Sequence, residues 1–281
     1  MEVSCAKKIQ GKMRMFTQTE KKLADYVLAN YEEILNKNIV ELAESAEVSE
    51  ASIVRFCKSL GYKGFQEFKI NAARDVIPKE KHFNPSLDKD DDTWTICQKM
   101  FASGVSVLNR TLTILNADDL DTVSEFILKS KKIVFFGIGG SSFVCQDAQH
   151  KFMKIGLNVF VYPDVDMQMM AASLMTSEDL AIGVSHSGTN RSVLECLKTA
   201  KESGAKTVAL VAQGKTPISK IADIVLYTGT EETVFKSESL STRIAQLTII
   251  DTLVSIVSFK DYNSAYQAIQ LTRKATSSNK Y

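Results

Sequence analysis

Several signals that would settle the function of an unfamiliar chain are missing from this one. It has no strong net charge: 34 Lys and Arg stand against 33 Asp and Glu, so no global field draws it to nucleic acid or to a membrane surface. It has no Cys-x-x-Cys pair. The five cysteines, at 5, 57, 97, 145 and 196, are scattered, and Cys57, Cys97 and Cys196 fall in helical patterns among apolar neighbours. They read as small buried hydrophobes in a reducing compartment, not as disulfides or metal ligands. Histidine is scarce too. His82 stands alone in a polar stretch, and His150 and His186 lack any metal-ligand spacing, so no metal site is expected. No apolar signal core opens the chain, and no apolar run is expected to reach the roughly 18 residues that a membrane helix needs. These absences point to a soluble cytoplasmic protein. A 44% share of hydrophobic residues is enough for a full core.

What is present divides the chain in two. Residues 1–77 read as a small all-α unit. Thr19 precedes an amphipathic run with Leu23, Tyr26, Val27 and Asn30 at helical spacing. Asn38 is placed to cap a short helix over 39–46, with Glu41 closing a capping box. Glu47 and Val48 make a turn, Ser49 caps a third helix over 50–60, and Gly61 ends it. Two helices joined by so short a turn match a helix-turn-helix. On a helical wheel of about 100° per residue, Ile53, Val54, Phe56, Cys57 and Leu60 share one side. Ala51, Ser52, Arg55, Lys58 and Ser59 share the other. Between Ala51 and Arg74 the charges are Arg55, Lys58, Lys63, Lys69 and Arg74 against Glu67 alone. A small basic face suits a helix entering a DNA groove, and equally an ordinary solvated surface.

Residues 78–92 are polar, hold two prolines and end in an acidic run, the composition of a linker. A helix from about residue 93 carries Cys97, Phe101, Val105, Leu108, Leu112 and Leu115 in steps of three and four. Such a stripe reads first as a domain-packing face, with a dimer seam as the alternative. From Leu120 onward, helical patterns alternate with short apolar runs at 132–136, 158–162, 180–184, 206–211 and 224–227. The alternation predicts a five-stranded parallel sheet covered by helices on both faces, a three-layer α/β sandwich. A long, largely apolar helix over 237–259 and another over 262–274 complete residues 93–281.

Two strand ends carry the chemistry. Gly137-Ile-Gly-Gly140 follows the first strand, and Ser141 and Ser142 open the next helix. A later strand ends in Ser185-His-Ser187-Gly188-Thr-Asn190 before another helix. Backbone N–H groups and hydroxyls at a helix N-terminus, aided by the helix dipole, hold anions, and in parallel sheets ligands sit at the C-terminal strand ends. The alternatives fit less well. Gly137-x-Gly139 is only part of a dinucleotide fingerprint, because Ser142 holds the third glycine position. Gly183-x-Ser185-x-Ser187 fails the nucleophile elbow at its last position. His186 follows Ser185 directly, so in a strand the two side chains face opposite ways. Each serine alone could also be no more than a helix cap.

These residues resemble the sugar isomerase (SIS) domain, whose signature joins Gly-x-Gly-x-Ser to Ser-x-Ser-Gly-x-Thr. The stretch from Val48 to Lys69 resembles the helix-turn-helix of the RpiR/MurR family of bacterial transcription regulators. Asp147 to Gly156, Met167 to Met170 and Ser241 to Leu247 look like segments of that family as well. The resemblance implies a regulator that binds operator DNA through residues 1–77 and senses a sugar phosphate in the SIS domain. It carries Ser141, Ser142, Ser185, Ser187, Gly188 and Asn190 over as phosphosugar contacts, with Glu238 toward the sugar hydroxyls. Ser49, Ser52 and Arg55 are expected to face the DNA groove, and Lys58 or Lys63 a DNA phosphate. A homodimer or higher homo-oligomer is expected, with no cofactor, no metal and no catalytic residue. Two positions depart from the pattern. Asn190 stands where Thr is usual, and Glu47 where glycine is common, which predicts strain because glycine tolerates positive φ better. The rival expectation is a sugar-phosphate isomerase or lyase. That chemistry needs a base beside the substrate; Arg191 and Ser192 offer none, whereas Glu195, Glu238 and His186 remain candidates.

Overall fold

A computed structural model of the protein describes residues 4–76, 87–229 and 242–277. The chain divides into two compact units, the first reaching Ser103 and the second built mainly from Gly104 onward. The division falls inside one continuous helix, not at residue 93, because that 22-residue helix has no break at the expected boundary. Most of the expected linker, residues 78–86, lies outside the described residues.

Among the described residues, five α-helices of the N-terminal unit precede that boundary helix: α1 (Cys5–Lys12), α2 (Gln18–Ala29), α3 (Ile39–Ala46), α4 (Glu50–Ser59) and α5 (Phe65–Val76). Helix α2 starts earlier than the sequence suggested. Thr17, not Thr19, is its cap: Thr17 Oγ1 accepts from Glu20 N, and Glu20 Oε2 accepts from Thr17 N at 2.9 Å. Asn38 caps α3 with Glu41 returning to its backbone N–H, as expected. Inward-facing Leu23, Val27, Leu42, Ile53, Phe56, Cys57, Phe65 and Phe68 share one core. Phe56 meets Phe16 and Phe68 with ring centroids 5.2 and 6.2 Å apart.

In the second unit, five parallel strands lie in the order β2-β1-β3-β4-β5. They are β1 (Lys132–Phe136), β2 (Val159–Val161), β3 (Asp179–Ser185), β4 (Lys206–Ala212) and β5 (Ile224–Thr228). Alternate residues serve different layers. Ile133, Phe135, Leu180, Ile182, Val184, Val208 and Leu210 point into one core with Val123, Val144, Ile249 and Leu253. These come from α7 (Ala117–Lys129), α8 (Gly140–Lys154) and α12 (Thr242–Lys260). Val134, Phe136, Ala181, Ala209 and Val211 point the other way, onto Ala172, Val193, Cys196, Leu197 and Ile218. Those lie on α9 (Val165–Ser173), α10 (Arg191–Glu202) and α11 (Pro217–Ile221). The expected three-layer sandwich is what forms.

Two expectations change. Helix α12 is long and apolar enough, by length and composition, to cross a membrane, contrary to the sequence reading. Its Ala245, Ile249, Ile250, Leu253 and Val257 are buried, however, and four of them sit in the sheet core, which is why a core helix has this composition. Helix α6 (Thr93–Ile114) buries Ser103, Val107 and Thr111, while Phe101, Val105 and Leu112 are exposed. Among the described residues, these three members of the apolar stripe therefore face outward, while Leu115 at its end packs against the sheet core. The final helix, α13 (Tyr262–Thr276), packs beside α8 and α12.

Candidate functional site

Strands β1 and β3 are neighbours in the sheet, with Phe136 level with Gly183. From β1 the chain proceeds to β2 on one side, and from β3 to β4 on the other. Between β1 and β3 lies the switch point at which open parallel sheets bind ligands. Both hydroxyl-rich turns leave from it, on strands about 5 Å apart.

At the first turn, Gly137 is buried because nothing larger fits. A Cβ there would lie 2.6 Å from Cys145 Sγ and 3.1 Å from the Ser141 carbonyl oxygen. Gly139 takes φ 60°, ψ −129°, a backbone conformation that favours glycine, and no side chain caps α8. In its first turn, Ser141 N and Ser142 N donate back to Ile138 O and Gly139 O. Ser141 makes no side-chain hydrogen bond among the described residues, so its hydroxyl is uncommitted. Ser142 differs: its hydroxyl donates to Gly139 O at 2.7 Å, which closes the turn.

The second turn divides its labour in the same way. Ser185 is 4% exposed and ends β3 on the α10 side of the sheet. Ser187 Oγ accepts from Thr189 N and from Thr189 Oγ1, at 3.3 and 2.9 Å, and keeps its own proton free to donate. Gly188 donates its N–H to Ser185 O and accepts at its carbonyl from Ile218 N. Both of its backbone groups are committed, so it shapes the turn and offers no donor. Asn190 caps α10, Oδ1 accepting from Val193 N at 3.1 Å, and leaves Nδ2 available. The amide thereby does the capping work that threonine would do. Glu238 lies outside the described residues.

Sequence reasoning missed two neighbours. Gln168 on α9 is 1% exposed and donates through Nε2 to Gly137 O and Tyr162 O, at 3.1 and 2.8 Å. It ties the end of β1 to the end of β2. The signal was its place in Met167 to Met170, a segment singled out for family resemblance without a role for the amide. Arg243, in the first turn of α12, brings Nη2 within 2.6 Å of where a Gly140 Cβ would stand, and its Cζ lies 5.8 Å from the Phe143 ring centroid. A cation thus sits beside the uncapped N-terminus of α8. His186 is half-buried, and His150 is exposed. Glu195 pairs with Lys198 at 3.3 Å.

In the N-terminal unit, α3 and α4 meet at a tight turn. Glu47 stands at φ 50°, ψ 50°, the one non-glycine residue with positive φ among the described residues. The strain expected from its departure is present. Lys22 holds the Glu47 carboxylate by a 2.5 Å ion pair, and this hydrogen bond lowers its pKa. Ser49 caps α4, its Oγ accepting from Ser52 N at 3.2 Å. Ala51, Arg55 and Lys58 are exposed, as is Lys63 beyond the helix. Ser52 is not: it is 7% exposed, with its hydroxyl 2.8 Å from Ser49 Oγ and accepting from Arg55 Nη2. It sits behind the polar face and orients Arg55. Lys69 also leaves the basic surface, for it is buried and donates to Lys37 O at 2.8 Å.

Residues 3–79 match the helix-turn-helix domain of the rpiR family, and residues 126–256 match the SIS domain. An uncharacterised HTH-type transcriptional regulator of Caldanaerobacter subterraneus subsp. tengcongensis is 36% identical over 94% of each chain. The HTH-type transcriptional regulator HexR of Pseudomonas aeruginosa is 31% identical over 90% of this chain and 88% of its own. Among solved structures, Vibrio vulnificus NanR complexed with ManNAc-6P aligns over 99% of both chains, with a TM-score of 0.83 at 23% identity. The chain belongs to the rpiR family of HTH-type transcriptional regulators, a helix-turn-helix domain followed by a SIS domain.

Proposed function

We propose that this regulator binds a sugar phosphate at the β1–β3 switch point and that the ligand changes its affinity for operator DNA. One observation carries the reading: two turns that place hydroxyls at helix N-termini leave neighbouring strands at a single switch point. Ser141, Ser185 and Ser187 donate to the phosphoryl group, and Asn190 Nδ2 adds a donor. Ser142 and Gly188 hold the turns in shape. Arg243 adds positive charge beside α8. Glu238 is kept as the contact to sugar hydroxyls. The solved NanR relative holds ManNAc-6P, a ligand of the proposed class.

The chain acts as a sensor and not as an isomerase. Glu195, a carboxylate on α10 that could serve as base, is engaged by Lys198. On DNA, Ser49 and Arg55 face the major groove, Ser52 supports Arg55, and Lys58 and Lys63 meet backbone phosphates. A two-fold operator needs paired heads. The exposed Trp94, Phe101, Val105 and Leu112 on α6 give a second copy of the chain an apolar seam.

The ligand shifts DNA affinity only by binding the DNA-competent and DNA-incompetent states unequally. The test is a thermal-shift screen with N-acetylmuramic acid 6-phosphate, ManNAc-6P, glucosamine 6-phosphate and simple hexose and pentose phosphates. A binder of the native state raises Tm. One compound is expected to do so and to lose its effect in Ser141→Ala and Ser185→Ala. No shift from any of them, or shifts that survive both substitutions, refutes the site. Catalysed exchange of solvent protons into fructose 6-phosphate would instead favour the enzyme.

A further inference from the structure

Charge in the N-terminal unit is segregated in a way that the helix-turn-helix alone does not use. From Ser4 to Thr17 the chain carries Lys7, Lys8, Lys12 and Arg14 and no carboxylate. Elsewhere in the unit, Lys22 and Lys37 are held by Glu47 and Glu33. Lys8, Lys12 and Arg14 have no ion pair among the described residues, and neither do Arg55, Lys58 and Lys63. The structure brings these two groups together. Lys12 Nζ donates to Ser59 O, at the C-terminal turn of α4. Lys8 Nζ lies 4.7 Å over the ring of Tyr62, which follows α4 directly. Lys58 is in that same turn and Lys63 comes just after Tyr62. Among the described residues, three carboxylates touch the two stretches, each through a backbone N–H and none through a basic side chain: Glu67 accepts from Lys63 N, Asp75 from Cys5 N and Glu20 from Thr17 N.

A plain structural role explains only part of this. A lysine at a helix C-terminus offsets the negative end of the dipole, and Lys12 does so for α4. The ammonium still has two protons beyond the one on Ser59 O. Arg14 is exposed and stabilises nothing that the structure describes.

We infer that α1 and the turn after it form a second DNA-binding surface, in which Lys8, Lys12 and Arg14 grip duplex phosphates beside the groove that α4 enters. The partner is the sugar-phosphate backbone, so the contact is independent of sequence and adds affinity without specificity. By covering the α4 C-terminus, Lys12 also removes a partial negative charge that would repel the same phosphates. The inference rests on DNA binding through α4.

The test uses the full-length chain and a 30-base-pair duplex of arbitrary sequence, with affinity measured by anisotropy across a salt series. Each phosphate contact contributes about 0.9 to the slope of log K against log salt, or roughly eightfold in affinity between 1 M and 0.1 M salt. Arg14→Gln, which disturbs no described bond, is expected to lower the slope by about that amount. Lys8→Gln with Lys12→Gln is expected to lower it by about twice as much, and Lys12→Arg to restore the Lys12 share. Lys129→Gln, on the other unit, serves as control. Melting curves of the variants separate lost contacts from lost fold. A wild-type slope in Arg14→Gln and in a folded Lys8/Lys12 variant, while Arg55→Ala still weakens binding, overturns the second surface and leaves the first standing. Absence of salt-dependent binding by the wild-type chain overturns both.

Discussion

The most exposing single change is Gly137→Ala, one methyl group at the end of β1. Backbone strain is not the obstacle; space is. The new Cβ would stand 2.6 Å from Cys145 Sγ, 3.1 Å from the Ser141 carbonyl oxygen and 3.2 Å from its carbon. Cys145 is fully buried, and the other two atoms are backbone of the α8 N-terminus. Something must move, and the direction open to it is α8 away from β1. Overpacking of this kind costs about 1–3 kcal/mol. In a unit of this size that is a fall in Tm of roughly 2–12 °C. The same displacement pulls Ser141 away from the second turn, so the thermal shift given by the sugar phosphate should vanish as well. Cys145→Ala separates the two obstacles. Alone it costs about 1 kcal/mol by leaving a small void. Combined with Gly137→Ala it removes the closest clash but not the one with Ser141. The double variant should therefore be more stable than additivity predicts by about 1 kcal/mol, within the usual range for touching residues. Ligand response should return only in part. Additive losses, or wild-type melting of Gly137→Ala, would refute the claim that close approach of α8 to β1 builds the first turn.

Three further outcomes follow from particular residues. Glu47→Gly relieves about 1 kcal/mol of left-handed backbone strain, so Tm should rise, and removal of a carboxylate from the helix-turn-helix turn should strengthen duplex binding at low salt; a lower Tm would show that the Lys22 pair outweighs the strain. In native protein at pH 8, Ellman's reagent should react with Cys97 alone, because burial pushes Cys57 and Cys145 up to about 12 and Cys196 to about 11, and Cys5 is raised as well; rapid reaction of more than one thiol contradicts the packing. Burial raises the Asp223 pKa, but Lys201 and the Thr207 hydrogen bonds outweigh it and leave the carboxyl below its ordinary value. Its stabilisation is therefore present above about pH 4 and lost as pH falls through the lower native value, so the Tm gap between wild type and Asp223→Asn should narrow as the solution is acidified below about pH 4, and a gap that widens there rejects the assignment.

Local rules made much of this molecule legible. The capping box of Asn38 and Glu41, the Ser49 cap and the five strands are all set by residues a few positions apart, and each reads directly from the chain. Thr17 was legible too, since Thr17-x-x-Glu20 is a capping box in the sequence; Thr19 merely stands closer to the first apolar residue. The failures have a different cause. A helical wheel puts Ser52 on the polar side, but it lies in the first turn of α4, where the Ser49 cap and Arg55 enclose it. Periodicity marked the α6 stripe as apolar and could not say which side of the helix meets the core. Gln168 is recognised only by its carbonyl partners, Gly137 and Tyr162, which belong to two other strands' ends. Partners distant in sequence leave no periodic trace.

On the proposed function, the switch point gives a physical reason for two serine turns and for a small ligand there to suit a regulator. Helix α8 leaves β1 on the face shared with α7 and α12, and α10 leaves β3 on the face shared with α9 and α11. In the proposed function, a phosphoryl group held by Ser141 and by Ser185 and Ser187 would bridge one helix from each outer layer. Either turn alone would anchor the ligand to a single layer and leave the other indifferent to it. Bound to both, the ligand would oppose any motion that separates the layers at their C-terminal edge. Its binding energy would then be linked to the relative position of α8 and α10, which is the differential affinity that the proposed coupling to a distant site requires. The same geometry predicts that Ser141→Ala and the double change Ser185→Ala with Ser187→Ala will be strongly non-additive in their effect on the ligand's shift of DNA affinity, since losing either side already breaks the bridge.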